Sequence, residues 1–436
     1  MNTTESITIA PVRDARGTVA LPGSKSVSNR ALLLAALADG KTTLTGLLRA
    51  DDTERMLESL EKLGIGVEFQ GDTSVCVTGC AGRIPSRSAD LFIGNAGTAA
   101  RTLTALLAFA EGSYRIDGIA RMRERPIADL LEALRALGAD IVCEEKEGFL
   151  PLRFSPARPA SGRVRVRGNV SSQYLTALLM IAPVIAGPEG LTIEIEGELI
   201  SRPYVEMTLA MMRDFGACID VSAKGDAFRV HPGTYRAKPQ YRVEADASGA
   251  SYFLALGALT GGPVTVTGVG EGALQGDVAF ADVLSEMGAD VVKTHDSITV
   301  SRPADRALQG IALDCTRIPD AAMTFVPMAL ACQGPVHLTG IASWRVKETD
   351  RLAAMAREMR RFGAVVEEGP DYIVVQKPAD GILTDAVVDT YDDHRMAMSL
   401  ALAACAGVTV TVKDPGCTAK TYPTFFEEFT RLVRAA

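Results

Sequence analysis

One motif, a small polar or acidic turn leading into an apolar helix, occurs six times along the chain. Its first residues are Ser26, Thr98, Ser171, Ser248, Asp320 and Asp393, which are 72, 73, 77, 72 and 73 residues apart. A regular period predicts repeats of one supersecondary unit, each burying its apolar face against its neighbours. The sequence therefore predicts six related units.

A second series is interleaved with the first. Amphipathic helical segments end in a pair of an apolar residue and glycine, and a β-branched segment follows; the glycines are Gly64, Gly138, Gly216, Gly288 and Gly363. Glycine favours the position after a helix C-terminus. The amphipathic helices are expected to lie on sheets, and the all-apolar helices of the first series are expected to be buried. Each unit is then predicted in the order β-α-β-α-β-β.

We expect an α/β fold of two domains, with three βαβαββ units in each domain arranged around buried helices. One domain is predicted to span residues 23–243 and the other to be discontinuous, spanning residues 1–22 and 244–436. The hinges are expected near Ala20-Leu21-Pro22-Gly23 and Tyr241-Arg242-Val243-Glu244. The length of 436 residues agrees with two domains.

Composition excludes several classes of protein. The net charge of −8 argues against a general surface for nucleic acid or for anionic membranes, although local cationic clusters still allow an anionic substrate. The eight cysteines and four histidines are scattered and include no C-x-x-C pair, so neither a metal site nor disulfide bonds are expected. Residues 1–10 do not resemble a signal peptide, and the apolar stretch 177–186 is too short to span a bilayer. A cytoplasmic location is expected.

The stretch Leu21–Arg30 has the features of an anion site. A Pro-Gly turn leads into Ser24 and Ser26, either of which suits a helix N-cap. Lys25 and Arg30 lie near the same helix start, where free N–H groups and the helix dipole favour negative charge. The alternative is an ordinary capped helix with two solvated cations. Similar helix starts recur along the chain, and this recurrence favours the anion site.

Further cations and carboxylates recur at turns that contain Gly, Ser or Pro. Glu348 lies between Lys347 and Arg351, where its charge would be stabilised and its proton affinity adjusted, as a general acid or base requires. Asp320 and Asp393 fit equally well as helix N-caps. The cations are Arg101, Arg121, Arg123, Arg125, Arg202, Lys347, Arg351, Arg395 and Lys420.

Ten stretches resemble the 5-enolpyruvylshikimate-3-phosphate synthase family. They are LPGSKSVSNRALLLAALA, GNAGTA-R, RERPI, SSQYLTALLM, SRPY, DAS-ASYFLA, IPDAAMT, WRVKETDRL, DHRMAM and CTAKTYP, and they run from Leu21 to Pro423. The resemblance implies the two-domain enolpyruvyl transferase fold with an active site in the cleft between the domains. It implies transfer of the carboxyvinyl group of phosphoenolpyruvate to the 5-hydroxyl of shikimate 3-phosphate in the shikimate pathway of aromatic amino acid and chorismate biosynthesis. It also implies a monomer without cofactor or metal, and a target of glyphosate.

The resemblance also assigns roles to residues. Asp320 would accept the proton of the 5-hydroxyl and Glu348 would protonate and later deprotonate the vinyl carbon, with Lys25 as a further candidate for proton transfer. The residues implied for shikimate 3-phosphate, mainly in the first domain, are Lys25, Ser26, Arg30, Ser171, Ser172, Gln173, Ser201, Tyr204, Asp320 and Lys347. Those implied for phosphoenolpyruvate are Lys25, Gly97, Arg125, Gln173, Arg351, Arg395 and Lys420.

The chain departs from the family pattern at a few positions. Ala100 and Thr102 replace the usual Met and Pro, so the helix near Gly97 is expected to shift slightly and sensitivity to glyphosate is left open. Ser343 replaces a frequent Asn before Trp344, and Gly249 replaces a Ser.

Two alternatives remain. A UDP-N-acetylglucosamine enolpyruvyl transferase would share the six units, but its usual reactive cysteine is missing from the corresponding loop, residues 118–126. A non-catalytic repeat scaffold would explain the period and the apolar helices. It would not explain why Lys, Arg and Glu recur at the helix starts.

Overall fold

The computed structural model describes residues 5–435, so the segment 1–10 of the signal-peptide prediction begins outside the described residues. The chain forms two compact units. Gly23–Val243 make up one of them, called here the continuous unit. The described residues before Gly23 and those from Glu244 onward make up the other, the discontinuous unit.

Three short strands precede the continuous unit and belong to the discontinuous one. They are β1 (Ser6–Ile9), β2 (Val12–Ala15) and β3 (Gly17–Ala20).

Helices and strands alternate through the continuous unit. They are α1 (Lys25–Leu37), β4 (Lys41–Thr45), α2 (Asp51–Lys62), β5 (Gly66–Gly71), β6 (Ser74–Thr78), β7 (Ser88–Phe92), α3 (Gly97–Leu107), β8 (Ser113–Asp117), α4 (Ala120–Glu124), α5 (Ala128–Ala136), β9 (Asp140–Cys143), β10 (Leu152–Ser155), β11 (Arg163–Arg167), α6 (Ser172–Ile185), β12 (Leu191–Glu196), α7 (Arg202–Asp214), β13 (Ile219–Val221), β14 (Ala227–Val230) and β15 (Gln240–Arg242).

Three four-stranded sheets organise this unit, with strand orders β15-β4-β6-β5, β7-β8-β10-β9 and β11-β12-β14-β13. In each sheet the first two strands pair in parallel and the remaining neighbours pair antiparallel. A parallel pair needs a crossover, and the apolar helices α3 and α6 supply it in the second and third sheets. Both helices are buried over nearly their whole length, as predicted from their all-apolar sequence.

The discontinuous unit continues with helices and strands from Ala247 onward. They are α8 (Ala247–Thr260), β16 (Val264–Thr267), α9 (Phe280–Glu286), β17 (Asp290–Lys293), β18 (Ser297–Ser301), β19 (Gln309–Asp314), α10 (Phe325–Met328), β20 (Gln333–Thr339), α11 (Arg351–Arg361), β21 (Val365–Glu368), β22 (Ile373–Gln376), β23 (Ala386–Val388), α12 (His394–Leu400), β24 (Val410–Lys413), α13 (Phe425–Leu432) and β25 (Val433–Ala435). Five 3₁₀ segments accompany them: Gly276–Ala279, Ala321–Thr324, Ala342–Val346, Ala401–Ala406 and Pro415–Lys420.

Its sheets repeat the same plan. Two have four strands, in the orders β17-β18-β16-β3 and β19-β20-β22-β21, and a third has the order β1-β24-β23. Strands β2 and β25 form a separate antiparallel pair.

The predicted βαβαββ order holds with local differences. The chain enters the continuous unit directly at α1, so the leading strand of its first repeat is β15, from the far end of that unit. The leading strand of the fourth repeat is β3, from the N-terminal segment. The sixth repeat has a three-stranded sheet completed by β1. In the described residues β24 is followed by the single strand β25, which pairs with β2.

Two of the six predicted apolar helices are not continuous α-helices. After Asp320 the chain forms a 3₁₀ segment and then the short helix α10, which contains Pro327. Proline has no N–H to donate within a helix and its ring clashes with the preceding turn, which explains the irregularity. After Asp393, α12 passes into the 3₁₀ segment Ala401–Ala406.

The five predicted helix-ending glycines are confirmed. Gly64, Gly138, Gly216, Gly288 and Gly363 follow α2, α5, α7, α9 and α11 and have φ between +82° and +107°. This left-handed backbone is accessible to glycine at little cost and satisfies the last carbonyls of each helix.

Candidate functional site

Helix α1 opens the site in the continuous unit. Its N-cap is Ser24, whose hydroxyl accepts a hydrogen bond from the Val27 N–H at 3.4 Å. Lys25 is thus the first residue of the helix, and its Nζ lies 3.5 Å from Oδ2 of the buried Asp52. The lysine is held in place by a carboxylate at the start of α2 while its charge stays near the positive end of α1.

Arg30 connects several helices of the continuous unit. Its guanidinium, 2 % exposed, donates to Thr208 Oγ1 at 2.8 Å, to the Ser26 carbonyl at 2.9 Å and to Thr176 Oγ1 at 3.4 Å. Burial lowers the pKa of Arg30 to about 10. Thr176 lies on α6 and Thr208 on α7, so one buried cation connects three helices that carry predicted site residues.

The first turns of α6 and α7 carry the other residues implied for shikimate 3-phosphate in this unit. Ser171 caps α6 by accepting from the Gln173 N–H at 3.2 Å, and Ser172 begins the helix and is buried. Ser201 occupies the N-cap position of α7, with a left-handed φ of 52°. The Tyr204 carbonyl accepts from the same Thr208 hydroxyl that contacts Arg30.

Gly97 and Arg125 form a second cationic point. The Arg125 guanidinium is 4 % exposed and donates to the backbone and side-chain oxygens of Asn95, both at 3.0 Å. A Cβ on Gly97 would lie 2.6 Å from Arg125 Nη2, so only glycine lets the guanidinium approach the start of α3. The Gln173 amide reaches Thr98 Oγ1 at 3.5 Å, which links α6 to the same helix start.

Two hydrogen bonds hold the segment that carries Arg125. The Pro126 carbonyl accepts hydrogen bonds from Tyr174 Oη at 2.7 Å and from Arg101 Nη2 at 2.8 Å. Arg101, a candidate cation from the sequence, therefore supports the loop and is itself buried.

Arg30 and Arg125 share one property. Among residues 5–435, neither has a carboxylate within ion-pair distance, although both are buried. A buried charge without a counter-ion is unfavourable, and an arginine fork matches phosphate and carboxylate groups. In the continuous unit, therefore, these two buried guanidiniums have the chemistry to bind anions that no described carboxylate supplies.

Arg351 is the central cation of the candidate cluster in the discontinuous unit. It is 1 % exposed and contacts three carboxylates: Asp393 Oδ2 at 2.7 Å, Glu348 Oε2 at 2.8 Å and Asp320 Oδ1 at 3.1 Å. Burial alone would lower the pKa of Arg351, but the three carboxylates together hold it above its usual range. The arginine stays charged at the start of α11.

Asp320 connects Arg351 to two further cations. Its Oδ1 lies 3.5 Å from Lys347 Nζ and its Oδ2 lies 3.3 Å from Arg395 Nη2. Burial would raise the pKa of Asp320, but Lys347, Arg395 and Arg351 outweigh it and hold the pKa well below its usual range. In this state Asp320 is a firmly ionised carboxylate and therefore a weak base.

Helix α12 positions Arg395. Asp393 caps the helix by accepting from the Arg395 N–H at 2.9 Å, and Arg395 Nη1 lies 3.4 Å from the Tyr252 hydroxyl. The 3₁₀ segment that ends at Lys420 packs against α12, and Lys420 is buried. The structure thus places Asp320, Lys347, Glu348 and Arg351 in one cluster with Arg395, and Lys420 on an adjoining element.

The sequence did not indicate Asp52 and Asn95 as supporting residues, and it indicated Asp393 only as an N-cap. Asp52 and Asn95 hold Lys25 and Arg125, and Asp393 acts both as an N-cap and as the counter-ion of Arg351. Asn95 lies inside the GNAGTA stretch, and Asp52 lies in the acidic first turn of α2, a pattern that helix-dipole preference explains without any function.

The positions that depart from the family pattern are ordinary in the structure. Thr102 is buried in the unbroken helix α3, and its hydroxyl donates to the Thr98 carbonyl at 2.9 Å. Ser343 is half-buried in the 3₁₀ segment before Trp344. The heavy atom nearest to a Cβ on Gly249 would be Oδ2 of Asp246, at 3.2 Å.

Within residues 5–435, no helix is long and apolar enough to cross a membrane. In the same range, no group of three or more His, Cys, Asp or Glu side chains is arranged to hold a metal ion.

Comparison with known proteins gives consistent matches. Residues 9–429 match the profile of EPSP synthase (3-phosphoshikimate 1-carboxyvinyltransferase). The chain is 54 % identical over 432 residues to the 3-phosphoshikimate 1-carboxyvinyltransferase of Laribacter hongkongensis (strain HLHK9), covering 98 % of this chain and 99 % of that one. It is 52 % identical over 436 residues to the enzyme of the same name from Paraburkholderia phytofirmans, with coverage of 99 % and 100 %. A solved EPSP synthase structure from Acinetobacter baumannii superposes with a TM-score of 0.80 at 25 % identity, covering 99 % of both chains.

Proposed function

Because the chain belongs to the EPSP synthase family, we propose that it transfers the carboxyvinyl group of phosphoenolpyruvate to the 5-hydroxyl of shikimate 3-phosphate and releases phosphate. This reaction belongs to the shikimate pathway of aromatic amino acid biosynthesis. The observation that carries the proposal is the pair of buried arginines without carboxylate partners, Arg30 and Arg125, in a unit whose helix starts also carry Lys25.

Shikimate 3-phosphate is assigned to the surroundings of Arg30. The hydrogen bonds of that guanidinium link helices α1, α6 and α7. The starts of these helices carry Lys25, Ser26, Ser171, Ser172, Gln173, Ser201 and Tyr204. Hydroxyl and amide groups suit the sugar-like hydroxyls and the phosphate, and the cation offsets the charge. Asp320 and Lys347 are proposed to contact the same substrate from the discontinuous unit.

Phosphoenolpyruvate carries a phosphate and a carboxylate, and it needs several cations. Arg125 with Gly97 and Gln173 in the continuous unit, and Arg351, Arg395 and Lys420 in the discontinuous unit, are proposed to bind it together with Lys25. Two polyanions held side by side repel each other unless cations offset the charge. The cations proposed for phosphoenolpyruvate are therefore drawn from both units.

The addition step forms a bond between the 5-oxygen and C2 of phosphoenolpyruvate. We assign the proton of the hydroxyl to Asp320 and the proton delivered to C3 to Glu348, with Lys25 as a further candidate. In the elimination step Glu348 takes a proton back from C3 as the C2–oxygen bond to phosphate breaks. Phosphate leaves with the proton that was taken from the hydroxyl.

The charges around Asp320 connect the binding of phosphoenolpyruvate to the proton transfer from the 5-hydroxyl. Before substrate binds, Lys347, Arg395 and Arg351 lower the pKa of Asp320. When the anion of phosphoenolpyruvate takes up part of the field of Arg351 and Arg395, the pKa of Asp320 rises toward the range useful for a general base. The carboxylate then becomes a better proton acceptor only when the second substrate is in place.

The two alternatives are less well supported. The relatives described above are named for the shikimate reaction, which does not favour UDP-N-acetylglucosamine as the acceptor. A non-catalytic scaffold would not explain why Arg30 and Arg125 are buried without carboxylate partners. We further propose that the protein acts as a monomer in the cytoplasm, in keeping with eight free cysteines; light scattering tests the first point.

The decisive experiment is phosphate release in the presence of a chelator, from phosphoenolpyruvate with either shikimate 3-phosphate or UDP-N-acetylglucosamine. Release only with shikimate 3-phosphate, lost in Glu348→Gln and Lys25→Ala but kept in the exposed control Lys62→Ala, supports the proposal. Release only with the nucleotide sugar, or with neither acceptor, contradicts it.

Glyphosate provides an independent check of the phosphoenolpyruvate subsite. As a mimic of that substrate it should compete with phosphoenolpyruvate, and its inhibition should weaken in Arg125→Lys, since lysine cannot replace the bidentate fork. Inhibition competitive only with shikimate 3-phosphate would contradict the assignment of Arg125.

A further inference from the structure

The segment that leads into α12 has an unusual backbone. Tyr391 and Asp392, neither of them glycine, have φ of +56° and +53°. Left-handed backbone is unfavourable for residues with a Cβ, and it persists only where the surroundings enforce it. Two such residues in succession therefore require an explanation in the contacts around them.

The buried side chain of Glu358 supplies those contacts. It lies on α11 with 0 % exposure. Its Oε1 accepts a hydrogen bond from the Tyr391 hydroxyl at 2.5 Å, and its Oε2 accepts one from the Asp389 N–H at 3.1 Å. One carboxylate thus binds both the side chain and the backbone of the turn that follows β23.

Arg361 completes the support. Its Nε lies 2.9 Å from Glu358 Oε2, its Nη1 donates to the Val387 carbonyl at 2.8 Å and its Nη2 donates to Asp389 Oδ2 at 2.8 Å. The buried charge of Glu358 is therefore compensated. The end of β23 and the start of the turn are fastened to the same helix.

The turn sets the position of the residues that follow it. Directly after Asp392, Asp393 binds Arg351 and caps α12, and Arg395 reaches Asp320. Helix α11 carries Arg351 at its first residue and Glu358 two turns later. The helix therefore holds the turn at two points, and two of the three arginines proposed for phosphoenolpyruvate, Arg351 and Arg395, depend on its shape.

We propose that Tyr391 and Glu358 are positioning residues for the phosphoenolpyruvate subsite: their hydrogen bond holds the left-handed turn that places Arg395, and Asp393 with Arg351, for the anion. The identity of that anion rests on the proposed function. Neither residue is proposed to touch substrate.

The phenol is suited to this role. Burial and then the hydrogen bond to Glu358 raise the pKa of Tyr391 to about 12, so the hydroxyl remains a donor at neutral pH. The ring also packs against the core, and the Arg357 guanidinium lies 6.0 Å from its centroid. Removing the hydroxyl leaves this packing in place and releases the turn.

The test compares Tyr391→Phe with Tyr372→Phe. Tyr372 donates to Glu367 at 2.8 Å in the same unit, so the control loses a phenol–glutamate bond that is away from the turn. We expect Tyr391→Phe to raise KM for phosphoenolpyruvate about tenfold, since small errors in placement cost much in rate and affinity. KM for shikimate 3-phosphate should stay within about twofold of the wild type, and Tyr372→Phe should change neither constant.

A binding measurement separates this proposal from the proposed function. Calorimetric titration with phosphoenolpyruvate alone, without an acceptor and hence without turnover, should show the same increase in Kd for Tyr391→Phe. If the wild type binds phosphoenolpyruvate but releases no phosphate, the proposed function fails while the positioning role is still judged by Kd. Equal Kd and KM for phosphoenolpyruvate in Tyr391→Phe and the wild type would overturn the positioning role.

Glu358→Gln provides a second variant in case Tyr391→Phe folds poorly. Glutamine keeps an oxygen for one donor but presents an N–H₂ group to the other, so the turn is partly released. A several-fold rise in Kd for phosphoenolpyruvate supports the proposal. A lower unfolding temperature without any change in Kd would mean a merely structural role.

Discussion

Arg351 and Asp393 face each other with both charges buried, joined by hydrogen bonds of 2.7 Å from Nε and 3.2 Å from Nη2. The carboxylate also caps α12, so the ion pair connects the starts of two helices, α11 and α12. Removing one member of such a pair leaves the other charge buried and uncompensated. The pair is therefore expected to matter for both stability and substrate binding.

The first prediction concerns Asp393→Asn. Asparagine still caps α12 but removes the negative charge, and we expect a loss of roughly 3 kcal/mol in the free energy of unfolding, at the lower end for broken buried pairs because Glu348 and Asp320 remain. Trp344 is buried in the discontinuous unit and is the only tryptophan, so its fluorescence in urea follows that unit.

Asp350→Asn is the matched control for Asp393→Asn. Asp350 caps α11 through the Ala353 N–H, but its ion pair with Arg345 is 34–42 % exposed. Exposed pairs contribute less than about 1 kcal/mol. Similar losses in the two variants would contradict the importance assigned to the buried pair.

The second prediction concerns Gly97→Ala. The new methyl group would lie 2.6 Å from Arg125 Nη2 and must displace the guanidinium. We expect KM for phosphoenolpyruvate to rise about tenfold, equivalent to about 1.4 kcal/mol, with a much smaller change for shikimate 3-phosphate. Gly71→Ala, where a Cβ meets nothing within 4 Å, is the control in steady-state kinetics. An unchanged KM for phosphoenolpyruvate would show that Arg125 does not depend on this space.

The third prediction separates binding from stability at Arg30. In Arg30→Met the apolar side chain fills a similar volume and no longer buries a charge, so the ligand-free protein should unfold at a temperature close to that of the wild type. The thermal stabilisation by shikimate 3-phosphate should disappear, because the cation that meets its charge is gone. Thermal unfolding with and without that substrate measures both effects.

Arg213→Met is the comparison for Arg30→Met. Arg213 lies in the last turn of α7 and donates to the Ile219 carbonyl at 3.3 Å, and it is not assigned to substrate, so this variant should keep the full substrate-induced shift. A shift that persists in Arg30→Met would rule out the assignment of Arg30 to shikimate 3-phosphate.

The fourth prediction is a pH dependence. The folded-state pKa of Asp320 lies below its usual value of 3.8, so its ionised form stabilises the folded protein above that value and this contribution is lost as the pH falls below it. The difference in unfolding free energy between the wild type and Asp320→Asn should be constant from neutral pH down to about pH 5 and shrink on further acidification. Urea unfolding at several pH values, followed by Trp344, provides the measurement. A difference that grows in acid would mean the pKa is raised.

Much of the fold could be predicted because its signals are local. The all-apolar helices, the glycines after α2 and α11 and the period of the repeats each follow from short stretches of sequence. The use of β15 and β3 as leading strands could not be predicted in this way. Their pairing joins segments far apart in the chain, and local pattern does not carry that information.

The candidate site, like the fold, could be predicted from the sequence only in part. Lys25, Arg30 and Arg351 stand out because cations at helix starts suggest anion binding. Glu358 and Tyr391 gave no signal, because a glutamate in an amphipathic helix and a tyrosine before a helix have ordinary explanations. Their importance appears only when the backbone of the turn and the burial of the carboxylate are known together.

The path of the chain also constrains how the protein is made. A ribosome releases β1, β2 and β3 before the rest of the described chain, but their partners β24, β25 and β16 belong to the chain beyond Glu244. The continuous unit can complete its sheets as soon as β15 emerges. Until then and for long afterwards, the N-terminal strands have exposed edges that can pair wrongly with other chains. Slow synthesis after Val243 would prolong that interval and, with it, the time in which these edges can pair wrongly.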